Sequence, residues 1–241
     1  MKILAIESSG LTASAAIAED EALLAEYTVN FKKTHSQTLL PMIDEIVKMI
    51  GLDLKELDAV AVSEGPGSFT GLRIGSATGK GIALALDRKI VSVPTLDALA
   101  FNLYDTQGLV CPIMDARRGQ VYTAVYRFEN HRLVRIREKT AESIGDLAQE
   151  LSAFPDKMVT FLGDGVPVFR EHLTEMLKDK DISFAPQHLA RQRAGAVAVL
   201  GIQYYKEGKY QDSKDHKPEY LRPSQAERVR AEKLSGGGQN A

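Results

Sequence analysis

Gly71, Gly75, Gly79 and Ala83 recur at every fourth position, and no other feature of the chain restricts its fold so tightly. Residues four apart share one face of an α-helix, so a helix here carries a ridge almost bare of side chains. Each glycine inside a helix costs roughly 1 kcal/mol relative to alanine. That cost needs an offset. The simplest is a second helix backbone packed unusually close, which predicts that the ridge is a contact surface. The preceding stretch, Ser63-Glu64-Gly65-Pro66-Gly67-Ser68-Phe69-Thr70, joins an apolar strand pattern (Asp58 to Val62) to that helix. A glycine-rich turn at such a junction lets backbone N–H groups converge on an anion.

The elements around this helix follow an order that occurs twice. Lys2 to Ile6, Ala13 to Ala18 and Leu23 to Val29 read as strands, the last two joined as a hairpin at Glu19-Asp20. A helix from Ser36 to Ile50 follows, with Leu39, Ile43, Ile46, Val47 and Ile50 as its core stripe and Gly51 as its stop. Strand Asp58 to Val62, the glycine-rich helix to Leu86, strand Ile90 to Val93 and helix Thr95 to Leu103 complete the unit. A shift of 108 residues then places Glu7 on Asp115, Ala16 on Ala124 and Ile17 on Val125. Strand Val121 to Phe128, a helix near Ile144 to Leu151, strand Met158 to Leu162, a Gly163-Asp164-Gly165 turn and another helix repeat the pattern. The unit is much longer than a solenoid repeat, so the expected architecture is α/β with two homologous lobes, 1–105 and 106–222, and a mobile tail at 223–241. A long last helix, Gln187 to Lys206, is expected to pack back on the first lobe. A duplicated lobe with an acidic residue closing its first strand resembles the actin, sugar-kinase and Hsp70-like ATPase (ASKHA) fold, whose nucleotide lies between the lobes.

Composition excludes several classes. With 241 residues, 44% of them hydrophobic, the chain can bury a substantial core, and a net charge of −2 supplies no global field for nucleic acid. Arg117, Arg118, Arg127, Arg132, Arg135 and Arg137 form the one local cationic run. It reads first as a solvated hairpin face and second as an RNA-binding surface. The single cysteine, Cys111, lies in an apolar run, which predicts a buried thiol, no disulfide and a reducing compartment. The first six residues are too short an apolar run for a signal peptide, and no stretch approaches bilayer length, so the expected place is the cytoplasm, away from membranes.

Four segments together carry a closer resemblance: Ile3 to Ser9, Thr34-His35-Ser36-Gln37, the block Gly65 to Gly75, and Tyr220-Leu221-Arg222. Over residues 1–222 the chain resembles the TsaB (YeaZ) family. That resemblance implies the bacterial complex that installs threonylcarbamoyl on the adenosine beside the tRNA anticodon. It implies a non-catalytic scaffolding subunit that activates a metal-bearing TsaD-like partner, with a TsaE-like ATPase associated and tRNA met through the complex. Two helices from each subunit would form the interface, and a homodimer would use the same surface when the partner is missing. The expected contact residues are Leu39, Met42, Glu45, Ile46 and Met49 on the first helix. On the second they are Gly71, Leu72, Arg73, Gly75, Ser76, Gly79, Lys80 and Ala83. Leucine at 75 or 79 is expected to leave the monomer folded and abolish association.

The expected cleft residues are Glu7, Ser8, Ser9, Gly65, Gly67, Ser68, Asp115 and Arg118. They read as a degenerate nucleotide site. Glu7 is longer than the aspartate of related kinases, Ser8 replaces a glycine that admits close backbone approach, and Pro66 removes a donor. No tightly bound cofactor is expected, only weak ATP or ADP contact at the complex interface. An ATP-dependent small-molecule kinase is the rival reading. Two histidines four apart would place two metal ligands on one helix face, but position 39, four after His35, is leucine, so neither a metal site nor a catalytic residue is expected. Ser36 adjoins His35 without a third group or a Gly-x-Ser-x-Gly turn, which speaks against a peptidase.

Overall fold

The computed structural model describes residues 1–31 and 34–222; the tail expected at 223–241 lies outside the described residues. β1 (Lys2–Glu7) pairs antiparallel with β2 (Ala13–Glu19), which pairs antiparallel with β3 (Ala22–Val29). Asp20, at φ 49°, makes the tight hairpin turn. β4 (Ala59–Gly65) joins β1 in parallel and β5 (Lys89–Pro94) joins β4, giving the order β3-β2-β1-β4-β5. The second sheet is built from β6 (Leu109–Arg117), β7 (Gln120–Glu129), β8 (Arg132–Ser143), β9 (Met158–Leu162) and β10 (Asp181–Phe184). Its order is β10-β9-β6-β7-β8, the first sheet repeated element for element. The molecule is a two-lobed ASKHA-like α/β protein.

Helices cover both sheets. α1 (His35–Ile50) ends at Gly51, whose left-handed conformation (φ 64°) closes the last turn. α2 (Phe69–Leu86) starts at Ser68, whose hydroxyl accepts from the Gly71 amide at 3.3 Å. Together they cover one face of the first sheet, where Leu39, Met42, Ile43 and Ile46 meet Leu4, Ile6, Ile17, Val60 and Val62. α3 (Thr95–Phe101) lies between the lobes, with Leu96 and Leu99 against Val110, Met114 and Tyr126 of the second sheet. α4 (Ile144–Ala153) and α5 (Val166–Met176) cover that sheet's other face.

Three elements differ from expectation. The final helix, α6, spans Ala194–Lys206 and not Gln187 to Lys206. The carbonyls of Leu189 and Arg191 accept instead from the Asn102 side chain, so the chain before Ala194 runs as a tie to α3. α6 packs on the first sheet, against Ile3, Ala5, Ala61 and Val93. β8, the return arm of the arginine-rich hairpin, and β10 are strands to which the sequence pattern assigns no bounds. β8 is dominated by charged residues that hide its alternation, and β10 is only four residues long.

Candidate functional site

Between the lobes lies a cleft of about 300 Å³. Its first wall is the β1–β2 turn (Ser9, Gly10, Leu11) with the start of α2 (Gly67, Ser68, Phe69). Its second wall is the end of β6 (Asp115, Ala116, Arg117) with Asp164. Across the mouth run Glu219, Tyr220, Leu221 and Arg222. Of the residues expected there, Ser9, Gly67, Ser68 and Asp115 line it. The other four do not. Ser8 turns away, its hydroxyl donating to the Gly71 carbonyl at 2.8 Å. Gly65, at φ 126°, is covered by the Glu219 carbonyl, so closely that a β-carbon there would collide. Arg118 stands at the exposed tip of the β6–β7 turn, and Arg117 takes the cleft position. Glu7 is fully buried beneath the cleft floor.

Glu7 is committed internally. Its Oε1 accepts from the Ser9 amide at 2.6 Å and the Ser9 hydroxyl at 2.5 Å. Burial raises its pKa, the two Ser9 bonds oppose the rise, and the nearby Asp164 adds to it. Asp164 is raised for the same leading reason, and its Oδ1 accepts from the Asp115 amide at 3.2 Å. Such acids hold their protons more tightly than free carboxylates. Among the described residues, no group of three or more histidine, cysteine or acidic side chains is placed to hold a metal ion. His35 Nε2 donates to the Gly10 carbonyl of the β1–β2 turn at 2.8 Å and so braces the cleft wall.

The bare ridge of α2 faces inward, which corrects its reading as an outward contact surface. A β-carbon at Gly71 would strike the Ser8 carbonyl, one at Gly75 the Ser8 hydroxyl, and one at Gly79 would lie 2.5 Å from Val62 Cγ2. What packs close enough to offset the glycine cost is Ser8, just after β1, and the Val62 side chain of β4, both in the same lobe. Leucine at 75 or 79 therefore damages the fold itself. Leu72, Ser76 and Ala83 are likewise buried, as are Leu39, Met42 and Ile46 of α1. Of the thirteen expected contact residues only Glu45, Met49 and Arg73 are exposed, with Lys80 half-buried. Glu45 and Met49 line a groove of about 870 Å³ between α1 and the edge strand β3. The outward apolar side chains that went unread are Leu40 and Leu84.

The arginine run is largely neutralised. Arg127 pairs with Asp156 at 2.8 Å, Arg135 with Asp97 at 2.6 Å, and Arg137 with Glu142 and Glu150 at 2.7 Å each. Cys111 is fully buried and its thiol pKa is pushed up to about 12, so it stays a neutral core group. Asp164 was within reach of sequence reasoning, since Gly163-Asp164-Gly165 follows β9 as Gly65 to Gly67 follows β4. The cleft-spanning segment and the contact of Ser92 Oγ with His216 Nδ1 (2.9 Å) had no local signal.

With this geometry in hand, relatives identify the group. A family model described as TsaD: tRNA N6-adenosine threonylcarbamoyltransferase matches residues 23–229. The tRNA threonylcarbamoyladenosine biosynthesis protein TsaB of Bacillus subtilis is 35% identical over 228 residues, covering 94% of this chain and 96% of the relative. The chain belongs to the TsaB (YeaZ) family. TsaB of Escherichia coli is 29% identical over 92% of this chain and 95% of its own length. Among solved structures, YeaZ from Pseudomonas aeruginosa superposes with a TM-score of 0.78 at 24% identity, over 91% of this chain and 99% of that one. The ROK hexokinase of Thermus thermophilus, at 0.51 and 13% identity over 86% of this chain and 100% of that one, shares the fold alone. Among the described residues no helix of this TsaB-family chain is long and apolar enough to cross a membrane.

Proposed function

We propose that this chain serves threonylcarbamoyladenosine formation on tRNA as a subunit that binds and activates a TsaD-like catalytic partner and makes or breaks no bond itself. The observation that carries the reading is the outer surface of α1 and α2, which lie side by side and expose Leu40 and Leu84 at 56% and 73%. Large apolar side chains left outward on two neighbouring helices suit a protein partner. The chain's own cleft supports the same reading, because Glu7 is engaged by Ser9 and residues 219–222 cover the mouth. On this reading a TsaE-like ATPase and tRNA join the assembly and not the lone chain, and any ATP or ADP sits at a subunit boundary. Paired arginines on β7 and β8 fit that division of labour. Without its partner the surface closes on a second copy, and the work takes place in the cytoplasm.

The test mixes this chain with a TsaD-like subunit, the ATPase, ATP, tRNA and an activated threonylcarbamoyl donor, and measures threonylcarbamoyl incorporation into the tRNA. Neither subunit alone is expected to modify tRNA, and the mixture is expected to do so. Leu40→Glu combined with Leu84→Glu should abolish co-elution while leaving the circular dichroism spectrum unchanged. Modification of tRNA by the lone chain, or assembly that survives both charges, overturns the reading.

A further inference from the structure

The last described residues are held from both lobes. The Glu219 amide donates to the Glu64 carbonyl at 2.6 Å. Tyr220 packs on Phe69 at 4.8 Å between ring centroids, and Arg73 Nε donates to its hydroxyl at 3.2 Å. The Arg73 guanidinium also lies 3.9 Å over the Phe69 ring. These contacts are all with the first lobe. From the second lobe, Lys139 of β8 pairs with the Glu219 carboxylate, and the Ala116 carbonyl of β6 accepts from Arg222 at 3.2 Å.

The segment just before is anchored more firmly. His216 is 1% exposed, its carbonyl accepts from Lys80 at 3.1 Å, and its ring meets Ser92. Glu219 and Tyr220, in contrast, keep 37% and 38% of their side-chain and whole-residue surface exposed, and neither enters a core cluster. A fixed point followed by a polar, half-exposed stretch is the mechanical layout of a latch.

We propose that residues 218–222 are a releasable clasp, anchored at His216, that ties the two lobes together across the cleft and uncovers it when it lets go. Arg73 connects this clasp to the outward face of α2, because the same guanidinium that stands exposed there holds Tyr220 and Phe69 in register. A carboxylate presented to that face would compete for Arg73 and loosen the clasp. The clasp itself stands whether or not a partner docks on α1 and α2.

Amide hydrogen exchange on the full chain tests it. In Tyr220→Ala, and separately in Lys139→Gln, exchange of the Glu219 amide should rise at least tenfold. The cleft-wall amides of Ser68 and Asp115, on opposite lobes, should rise with it, while β1 stays protected. If only Glu219 responds, the segment merely rests on the surface and ties nothing; if nothing responds, it is not released at all. Either result overturns the proposal. Should Tyr220→Ala lose protection in β1 through misfolding, Tyr220→Phe, which removes only the hydroxyl that Arg73 reaches, decides the matter by a threefold or greater rise at Glu219.

Discussion

Ser8 occupies space that only glycine leaves open: its hydroxyl reaches the Gly71 carbonyl at 2.8 Å and sits where a side chain at 75 would begin. Gly75→Ala should therefore cost about 2 kcal/mol, from steric conflict and a broken buried hydrogen bond. Gly81, on the same helix but with nothing within 4 Å of an added β-carbon, should gain about 0.5–1 kcal/mol on replacement by alanine. Urea unfolding of both variants measures the contrast, and equal responses would contradict the inward ridge. His216 supplies a second residue-scale expectation. Burial, aided by the Lys80 charge, lowers its pKa from 6.5 to about 4. The unfolded chain binds this proton below pH 6.5 and the folded chain does not, so stability is lost as pH falls from 6.5 towards 4. Between pH 7 and pH 5 His216 accounts for a loss of about 2 kcal/mol. His216→Gln should flatten the stability–pH curve by that amount in paired urea titrations.

At the scale of elements, α3 does more than its seven residues suggest. Asp97 accepts from Arg135 through both oxygens at 2.6 and 2.9 Å, from Tyr126 at 2.7 Å and from Tyr204 at 3.0 Å. One carboxylate so joins α3, β7, β8 and α6. Burial first, and then this carboxylate, raise the pKa of both tyrosines, so their hydroxyls remain donors. Asp97→Ala leaves the partly buried Arg135 with only the exposed Glu138 as an acidic partner and should cost about 3 kcal/mol, read as a lower urea midpoint with unchanged slope. Element order and the α2 boundary at Leu86 were legible because strand and helix periods alternate cleanly there. The start of α6 was not, because residues 187–193 include good helix formers such as Leu189, Ala190 and Arg191, whereas in the fold Asn102 claims the Leu189 and Arg191 carbonyls.

For the whole molecule, the duplication visible as Glu7 over Asp115 holds as two sheets of the same strand order. The halves are no longer equivalent at their clefts. Glu7 is buried and capped by Ser9, whereas Asp115 lines the opening and accepts from the Arg117 amide at 2.8 Å. Residues 219–222, more than a hundred positions from either turn, lie across that opening. The pairing surface proposed on α1 and α2 and the clasp at the cleft meet at Arg73, so the two mutational tests bear on one connected region.

The amino-acid order by itself determined the α/β class, the two-fold repeat, the buried Cys111 and the need for close packing at Gly71, Gly75 and Gly79. These follow from periodicity and from steric limits that act within a few residues. Which atoms pack against those glycines, which acids neutralise Arg127, Arg135 and Arg137, and which segment covers the cleft were decided by tertiary structure alone. Each is a contact between positions far apart in the chain, and the energy of such a contact depends on where folding brings the second partner.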